Sequence, residues 1–540
     1  SVSAASTTPL PTQRDALLAR LRSEGPWDVA IIGGGATGLG IALDAALRGF
    51  RVVLLEAVDF ASGTSSRSTK LVHGGVRYLA QGHVGLVREA LRERSRILHN
   101  APHLARALPF VMPAYRWWEA PFYGIGLELY DLMAGRAGLG ATAWLSRSQV
   151  LRALPNVRAQ GLHGGVQYWD GQFDDARLAL AIARTAALHG ALLLNHAPVD
   201  ELLHEGGRLA GVVVRDEETG NRHQVHARCV INATGVWVDA LRARSADAAG
   251  LVPRPLVAPS QGVHLVVDAD FMPGEHALLV PATQDGRVLF AVPWLGKLVL
   301  GTTDTPRQDL PREPSPLPEE VDFILREAAR YLERAPTWAD VRSCWVGLRP
   351  LVSPPSDRGT DTRSISREHY IETAADGLVT VTGGKWTTYR AMAEDVLQHC
   401  MAGKLLPRRE AGATRDCRLV GAEDAAAGPA HGADLSGARG LHAYGSEASW
   451  VAALPGHDRL LGPDLSEAMV RFAARHEYAR TVEDVLARRQ RLLFTDAAEA
   501  ARAAPEVARV LEQETGCPPR LEPFLALAAQ YLRRPGVQSA

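Results

Sequence analysis

Short apolar runs alternate with glycine-punctuated polar stretches through the first half of the chain, and their periods predict strands followed by helices. Residues 28–32 form one such run and 51–55 a second, with a helix-period stretch beginning near Ala36 between them. Residues 173–190 read as a helix, with Asp174 or Asp175 as N-cap and Gly190 as stop, and 191–195 as the strand after it. Residues 208–215 and 221–228 predict a hairpin around the polar turn 216–220, and 229–232 a further buried strand. Between 256 and 375 strand-type runs recur at 263–267, 277–280, 288–292, 298–300 and 369–372. They predict an antiparallel sheet, interrupted by a proline-rich loop at 311–318 and a helix at 319–334. A strand at 378–382 leads through Gly383 and Gly384 into a helix from Thr387, and beyond 405 helices are expected at 466–476, 481–494 and 521–532.

At 540 residues the chain has room for two or three domains around a large core. A net charge of −1 gives no global field for nucleic acid or an anionic membrane. Its five cysteines (Cys229, Cys344, Cys400, Cys417, Cys517) are scattered, without C-x-x-C or metal spacing, which fits a reducing cytoplasm. Residues 1–25 read as a polar tail and a short amphipathic helix, without the apolar core of a secretory signal. No run reaches about 18 apolar residues, because 33–50 is broken by glycines and Asp44, so no membrane span is expected.

The first chemistry-bearing unit follows the strand at 28–32. Gly33, Gly35 and Gly38 fit G-x-G-x-x-G, with Thr37 inside the turn. The first glycine permits a tight turn, the second lets backbone approach a pyrophosphate, and the third lets helix pack on strand. Glu56 ends the second strand about 20 residues on, where a carboxylate can accept both hydroxyls of an adenosine ribose. Nicotinamide and flavin cofactors share this cradle, so the unit alone leaves both open. The loop after Glu56 favours flavin. Thr64, Ser65, Ser66, Thr69 and Lys70 form a dense run of donors suited to the pyrophosphate and ribityl chain of FAD, and Leu71, His73 and Gly74 lead to a Gly74-Gly75 pair where backbone can meet a flat ring. Taken by itself, such a run also fits a solvated surface loop.

The stretch from Gly33 to Gly38, Glu56, Thr64-Ser65-Ser66 and Lys70 to Tyr78 resembles the FAD-dependent, quinone-linked (aerobic) glycerol-3-phosphate dehydrogenase family. So do Asn232-Ala233-Thr234-Gly235, Gly347-Leu348-Arg349-Pro350-Leu351 and Gly383-Gly384-Lys385-Trp386-Thr387-Thr388-Tyr389-Arg390, in the same order. The resemblance covers roughly residues 25–395, with a weaker helical match to about 500. It implies an α/β fold: an FAD-binding Rossmann-like domain of the glutathione-reductase and D-amino-acid-oxidase type, an inserted antiparallel β-sheet substrate cap, and a C-terminal all-helical domain. The expected parts are an N-terminal tail (1–25), a discontinuous FAD domain (26–255 and 376–400), a cap (256–375) and the helical domain (405–540). Val199, Ala233, Gly235, Gly384, Lys385 and Thr387 join the cofactor contacts on the same ground.

The implied reaction is oxidation of sn-glycerol 3-phosphate to dihydroxyacetone phosphate, with hydride passing to FAD and electrons then to quinone. A phosphomonoester carries nearly two charges and needs arginine forks or a lysine. Arg77, Arg349 and Arg367 are the candidates, with Tyr78 as hydroxyl donor and Lys385 reaching from the flavin-side turn. The apolar neighbours of Arg349 predict partial burial, which demands an internal carboxylate or a ligand anion. Around Arg367 the family often has Arg-Asp, and Glu368-His369 departs from it. His264, on an apolar strand, is the expected base, with Arg349 and Lys385 polarising the ketone and the flavin N1 region, while His73 orients the flavin. A core histidine, or a structural ion pair for any single arginine, is the plain alternative.

The resemblance also implies a homodimer attached peripherally to the cytoplasmic face of the inner membrane, and the near-zero net charge gives no reason to expect a nucleic-acid partner. The best membrane segment is 116–127, where Trp117, Trp118, Phe122 and Tyr123 cluster, flanked by Arg116 and Arg136. Packing in the cap or at a dimer interface is the competing reading of those aromatics. Three other functions stay open: a glycerol-3-phosphate oxidase using O2, a D-amino-acid or sarcosine-type amine oxidase, and a flavin-binding regulatory protein without turnover.

Overall fold

A computed structural model describes residues 8–75, 79, 82–281, 287–353, 369–422, 435 and 440–536. Two sheets and a helical layer organise them. In the first sheet Val52–Leu55, Trp27–Ile32, Arg222–Asn232 and Val379–Thr382 run parallel, with Leu192–Leu194 beyond Val52–Leu55. Parallel strands are buried on both faces, which explains their unbroken apolar runs. Alternate side chains serve alternate layers. Val29, Ile31, Val52 and Leu54 pack on the helices Ala36–Leu47, Asp175–Leu188 and Tyr389–Ala402. Ala30, Ile32, Val53 and Leu55 pack on the hairpin Val199–Glu205/Arg208–Arg215 and the helix Arg14–Ser23.

The second sheet is larger and mostly antiparallel. Val257–Asp268 is its spine, paired with Ser343–Val352 along one side and with Lys297–Gly301 along the other. Val263, Leu265 and Val267 face the helix Pro318–Tyr331, and the opposite parity (His264, Val266) faces away from it. The C-terminal helices Glu467–His476, Ala497–Thr515 and Leu521–Leu532 share one core with Val266, Trp294, Val299 and Trp345 of this sheet. The helical domain thus backs the sheet that carries His264.

Several expectations change. The run at 369–372, assigned to the cap, is the strand Tyr370–Thr373, antiparallel to Val379–Thr382 in the nucleotide sheet. Four of the ten strands of the cap sheet come from residues placed in the FAD domain, namely Leu71–Val72, Ala105–Ala114, Ala143–Ser146 and Gly164–Phe173. Apolar alternation marks a strand but not which sheet it joins. Arg222–Asn232 form one strand, antiparallel to Arg208–Arg215 at first and then parallel to Trp27–Ile32. The helix expected at 481–494 is a wide turn over Asp484–Arg489, an extended residue at Gln490 and a short helix Leu492–Thr495. The 19-residue helix Ala497–Thr515 went unread because Pro505 interrupts its sequence pattern. No described helix is long and apolar enough to cross a membrane.

Candidate active site

The glycine turn has the shape its residues predict. Gly33 has φ +115°, and a Cβ there would stand 2.2 Å from the carbonyl oxygen of Ala233. A Cβ on Gly38 would lie 1.9 Å from the Gly33 oxygen, so that glycine sets the helix-to-turn distance. Gly35 caps the helix Ala36–Leu47 and meets only the Ser65 hydroxyl, leaving the helix N-terminus approachable. Thr37 lies in the first turn of that helix. Glu56 accepts the N–H of Gly34 (2.9 Å) and of Val58 (2.7 Å), and burial pushes its carboxyl up. Two bonds leave acceptor sites on a carboxylate for a diol.

Four distant segments close around this turn. The Ser65 hydroxyl accepts the Ala36 N–H at 2.9 Å, and the Ser65 carbonyl accepts Trp386 Nε1–H at 2.8 Å. The buried Thr387 hydroxyl donates to the His73 carbonyl at 3.1 Å, and Thr382 donates to that of Gly235 at 3.3 Å. Thr64 donates to the carbonyl of Leu348, beside Arg349. Gly74 donates to the Tyr130 hydroxyl at 2.7 Å, and Gly384 (φ +77°) precedes Lys385 at the head of the turn Trp386–Thr388. Val199 begins a strand just past Ala197, whose N–H binds the Glu56 carbonyl at 2.9 Å. Arg77, Tyr78 and Arg367 lie outside the described residues.

Backbone donors, hydroxyls and one acid therefore gather around the glycine turn, and FAD suits that donor set. The cap contributes His264 and Arg349. His264 is buried, stacked on Trp345 with ring centroids 4.4 Å apart, and its Nε2 lies 2.8 Å from the Thr69 hydroxyl. Its Nδ1 has no hydrogen-bond partner among the described residues. Burial, then the cations Lys70 and Arg349, hold the imidazole well below its usual range, so it is neutral near pH 7. Arg349 is half-buried, 3.7 Å from Asp304 and 3.5 Å from the Thr302 hydroxyl, and its guanidinium lies over Gly262. Asp304 is thus the internal carboxylate that its burial demanded.

The Lys70 side chain is fully buried, and its ammonium binds Asp175 Oδ2 at 2.8 Å and the Ser66 carbonyl at 2.6 Å. A buried ammonium needs a carboxylate, and the nearest is 105 residues away in sequence. Leu71, beside it, pairs with Gln172 in the cap sheet. Arg491 of the C-terminal domain binds Asp174 (2.9 Å), Asp175 (2.6 Å) and the Ser66 carbonyl (2.8 Å). Trp345 was missed as well. Strand period places Trp345, Gly347 and Arg349 on one face, and register sets Trp345 opposite His264.

These features define an FAD-dependent oxidoreductase. Residues 28–390 match the family described as FAD dependent oxidoreductase, and 412–519 match the C-terminal domain of alpha-glycerophosphate oxidase. A probable mitochondrial glycerol-3-phosphate dehydrogenase of Caenorhabditis elegans is 41% identical over 94% of this chain and 73% of its own. The human mitochondrial glycerol-3-phosphate dehydrogenase is 40% identical over 93% of this chain and 72% of its own. The crystal structure of the Bacillus halodurans glycerol-3-phosphate dehydrogenase complexed with FAD superposes with a TM-score of 0.75 at 28% identity, covering both chains fully. The chain belongs to the FAD-dependent glycerol-3-phosphate dehydrogenase family.

Proposed function

We propose that this protein oxidises sn-glycerol 3-phosphate at C2 to dihydroxyacetone phosphate and passes the electrons to a quinone, as a peripheral protein on the cytoplasmic face of a membrane. The observation that carries the chemistry is the pairing of the strands bearing neutral His264 and cationic Arg349, with His264 bonded to Thr69 of the loop assigned to the cofactor. FAD, when bound, accepts the hydride. His264 takes the hydroxyl proton. A phosphate dianion entering beside Arg349 offsets that cation and raises the basicity of the imidazole as substrate arrives. Arg349 then faces the charge developing on the C2 oxygen, with Lys385 beside the cofactor-side turn. Arg77, Tyr78 and Arg367 are assigned to the phosphate on family resemblance.

The quinone reading is supported by the helix Glu119–Ala134. Phe122, Ile125, Leu129 and Leu132 follow 3–4–3 spacing and form one exposed stripe, with Ile125 66% and Leu132 77% accessible, next to Trp117 at 80%. The opposite face, through Leu127 and Tyr130, is buried. An apolar stripe of this kind suits the acyl boundary where quinones dissolve. Dioxygen is the second reading, favoured by the match of 412–519 to the C-terminal domain of alpha-glycerophosphate oxidase.

The test is anaerobic spectrophotometry of the holoprotein. Bleaching of the ~450 nm flavin band by sn-glycerol 3-phosphate, but not by glycerol or D-amino acids, is expected. A band that stays oxidised refutes the dehydrogenase assignment. Reoxidation by a short-chain quinone without hydrogen peroxide supports the quinone; fast reoxidation by air with peroxide favours the oxidase.

A further inference from the structure

Lys70 stands out among the residues of the flavin loop. It holds a left-handed backbone conformation (φ +70°), unfavourable for a side chain with a Cβ, yet that side chain is completely enclosed. Its Nζ lies 4.6 Å from the centroid of Trp345, 5.2 Å from that of Trp294 and 5.4 Å from that of Phe494. Trp345 is the ring on which His264 stacks, at an interplanar angle of 18°. The preceding residue, Thr69, contacts the imidazole directly through Nε2. Two consecutive residues therefore reach the same histidine, one by hydrogen bond and one through the indole that both contact.

We propose that Thr69 and Lys70 are positioning residues for His264: the hydroxyl fixes the ring, and the ammonium sets the charge in which it works. This rests on reading His264 as the base. The charged groups that face it are Lys70 from the loop, Arg349 from the strand Ser343–Val352 and Asp175 from the helix Asp175–Leu188. Arg491 shares Asp175 with Lys70, and Asp304 faces Arg349. Burial, with Lys70 and Arg349 outweighing Asp175 at the imidazole, keeps it unprotonated in the free enzyme and ready to accept. Burial draws the Lys70 ammonium down to about 7 against the pull of Asp175, so it is charged through the acid range in which His264 titrates. The strained backbone at residue 70 is the cost of placing that charge there.

Lys70→Met removes the charge and keeps the stem, while Arg491 still partners Asp175. Anaerobic stopped-flow measurement of flavin reduction against pH reads the outcome. The acid limb of the rate should move to higher pH by about one unit in Lys70→Met, because a cation near the imidazole is gone. Thr69→Val should slow reduction by roughly tenfold or more, and Thr69→Ser should restore most of it. A Lys70→Met profile that superimposes on the wild-type one overturns the role of the ammonium. A Thr69→Ser enzyme as slow as Thr69→Val overturns that of the hydroxyl, and this pair decides even where Lys70→Met fails to fold. An independent readout is NMR of histidine-labelled protein, in which the His264 resonance is identified by its loss in His264→Gln. Its titration should rise in Lys70→Met, and an unmoved midpoint refutes the proposal. If the base reading itself fails, His264→Gln reduces flavin at the wild-type rate. If only the positioning fails, His264→Gln is slow and Lys70→Met is unaltered.

Discussion

Gly301 lies against the imidazole of His264 so closely that a Cβ on the glycine would stand 2.6 Å from the ring's Cδ2, and the two residues are register partners across the cap sheet. A Cβ on Gly262, whose register partner is Gly347, would stand 2.3 Å from the Arg349 guanidinium. Gly301→Ala should displace the imidazole and cut the flavin reduction rate by about 100-fold, since a shift near 1 Å has that effect on a catalytic group. Gly262→Ala should act mainly on KM for the phosphorylated substrate. Flavin content should be unchanged in both, as neither glycine lies in the cofactor turn. Rapid-reaction kinetics on the two holoproteins checks this, and wild-type rates in both would remove His264 and Arg349 from the site.

Gly33→Ala acts on the cofactor instead. A Cβ there collides with the Ala233 carbonyl, at a φ of +115° that other residues rarely adopt. A cost of roughly 3 kcal/mol or more is expected, with loss of FAD from whatever folds. The ratio of flavin to protein absorbance after gel filtration measures it. Full occupancy in Gly33→Ala would contradict the cradle.

The pairing of His196 with Asp484 (2.8 Å) ties the FAD domain to the C-terminal domain and should show in stability against pH. Although burial opposes it, the Asp484 carboxylate raises the His196 imidazole above its ordinary 6.5. A raised folded-state value means that this contribution is fully present below about 6.5 and disappears as pH rises through the higher native value. Asp484 itself is held far below the usual carboxylate range, so its share is lost only in strong acid. The gap in denaturation midpoint between wild type and His196→Gln should therefore be wide at pH 5.5 and narrow at pH 9. Urea titrations at the two values decide it, and a gap that is equal at both refutes the linkage.

The exposed stripe of the helix Glu119–Ala134 predicts binding to zwitterionic vesicles that salt does not weaken, in keeping with a net charge of −1. Each of Phe122→Ser, Ile125→Ser and Leu132→Ser should lower the partition coefficient roughly tenfold or more, from the apolar area withheld from lipid. Reduction of bound flavin by substrate should be unaffected. Co-sedimentation with phosphatidylcholine vesicles provides the measurement, and binding undiminished in the triple variant would place the membrane contact elsewhere.

How legible all this is from sequence depends on how local the contacts are. The strand, glycine turn, helix and acid from Asp28 to Glu56 are contiguous, and they fold as their residue types dictate. Asp174 caps its helix as read, with its side chain accepting the Arg177 N–H. The cap is less legible, because Ala105–Ala114 pairs with Gly164–Phe173 and, in parallel, with Ala277–Val280, and no local pattern encodes such partners. His264 and Arg349 could be chosen from their strands, but Trp345 needed the register of two strands. The Lys70–Asp175 pair needed the tertiary fold itself. A lysine amid serines and threonines looks like one more surface donor until its enclosure is seen.

Arg491 meets Asp175 across 316 residues of chain. During synthesis, therefore, the loop carrying Thr69 and Lys70 and the acids at 174 and 175 emerge long before the guanidinium that completes their cluster. Until residue 491 has left the ribosome, two carboxylates destined for burial have one lysine between them, and the groove beneath His264 lacks its final charge arrangement. Any nascent or truncated chain ending before that point lacks the guanidinium that binds Asp174, Asp175 and the Ser66 carbonyl. Maturation of the site is thus timed by the helical domain, which comes late in the order of translation.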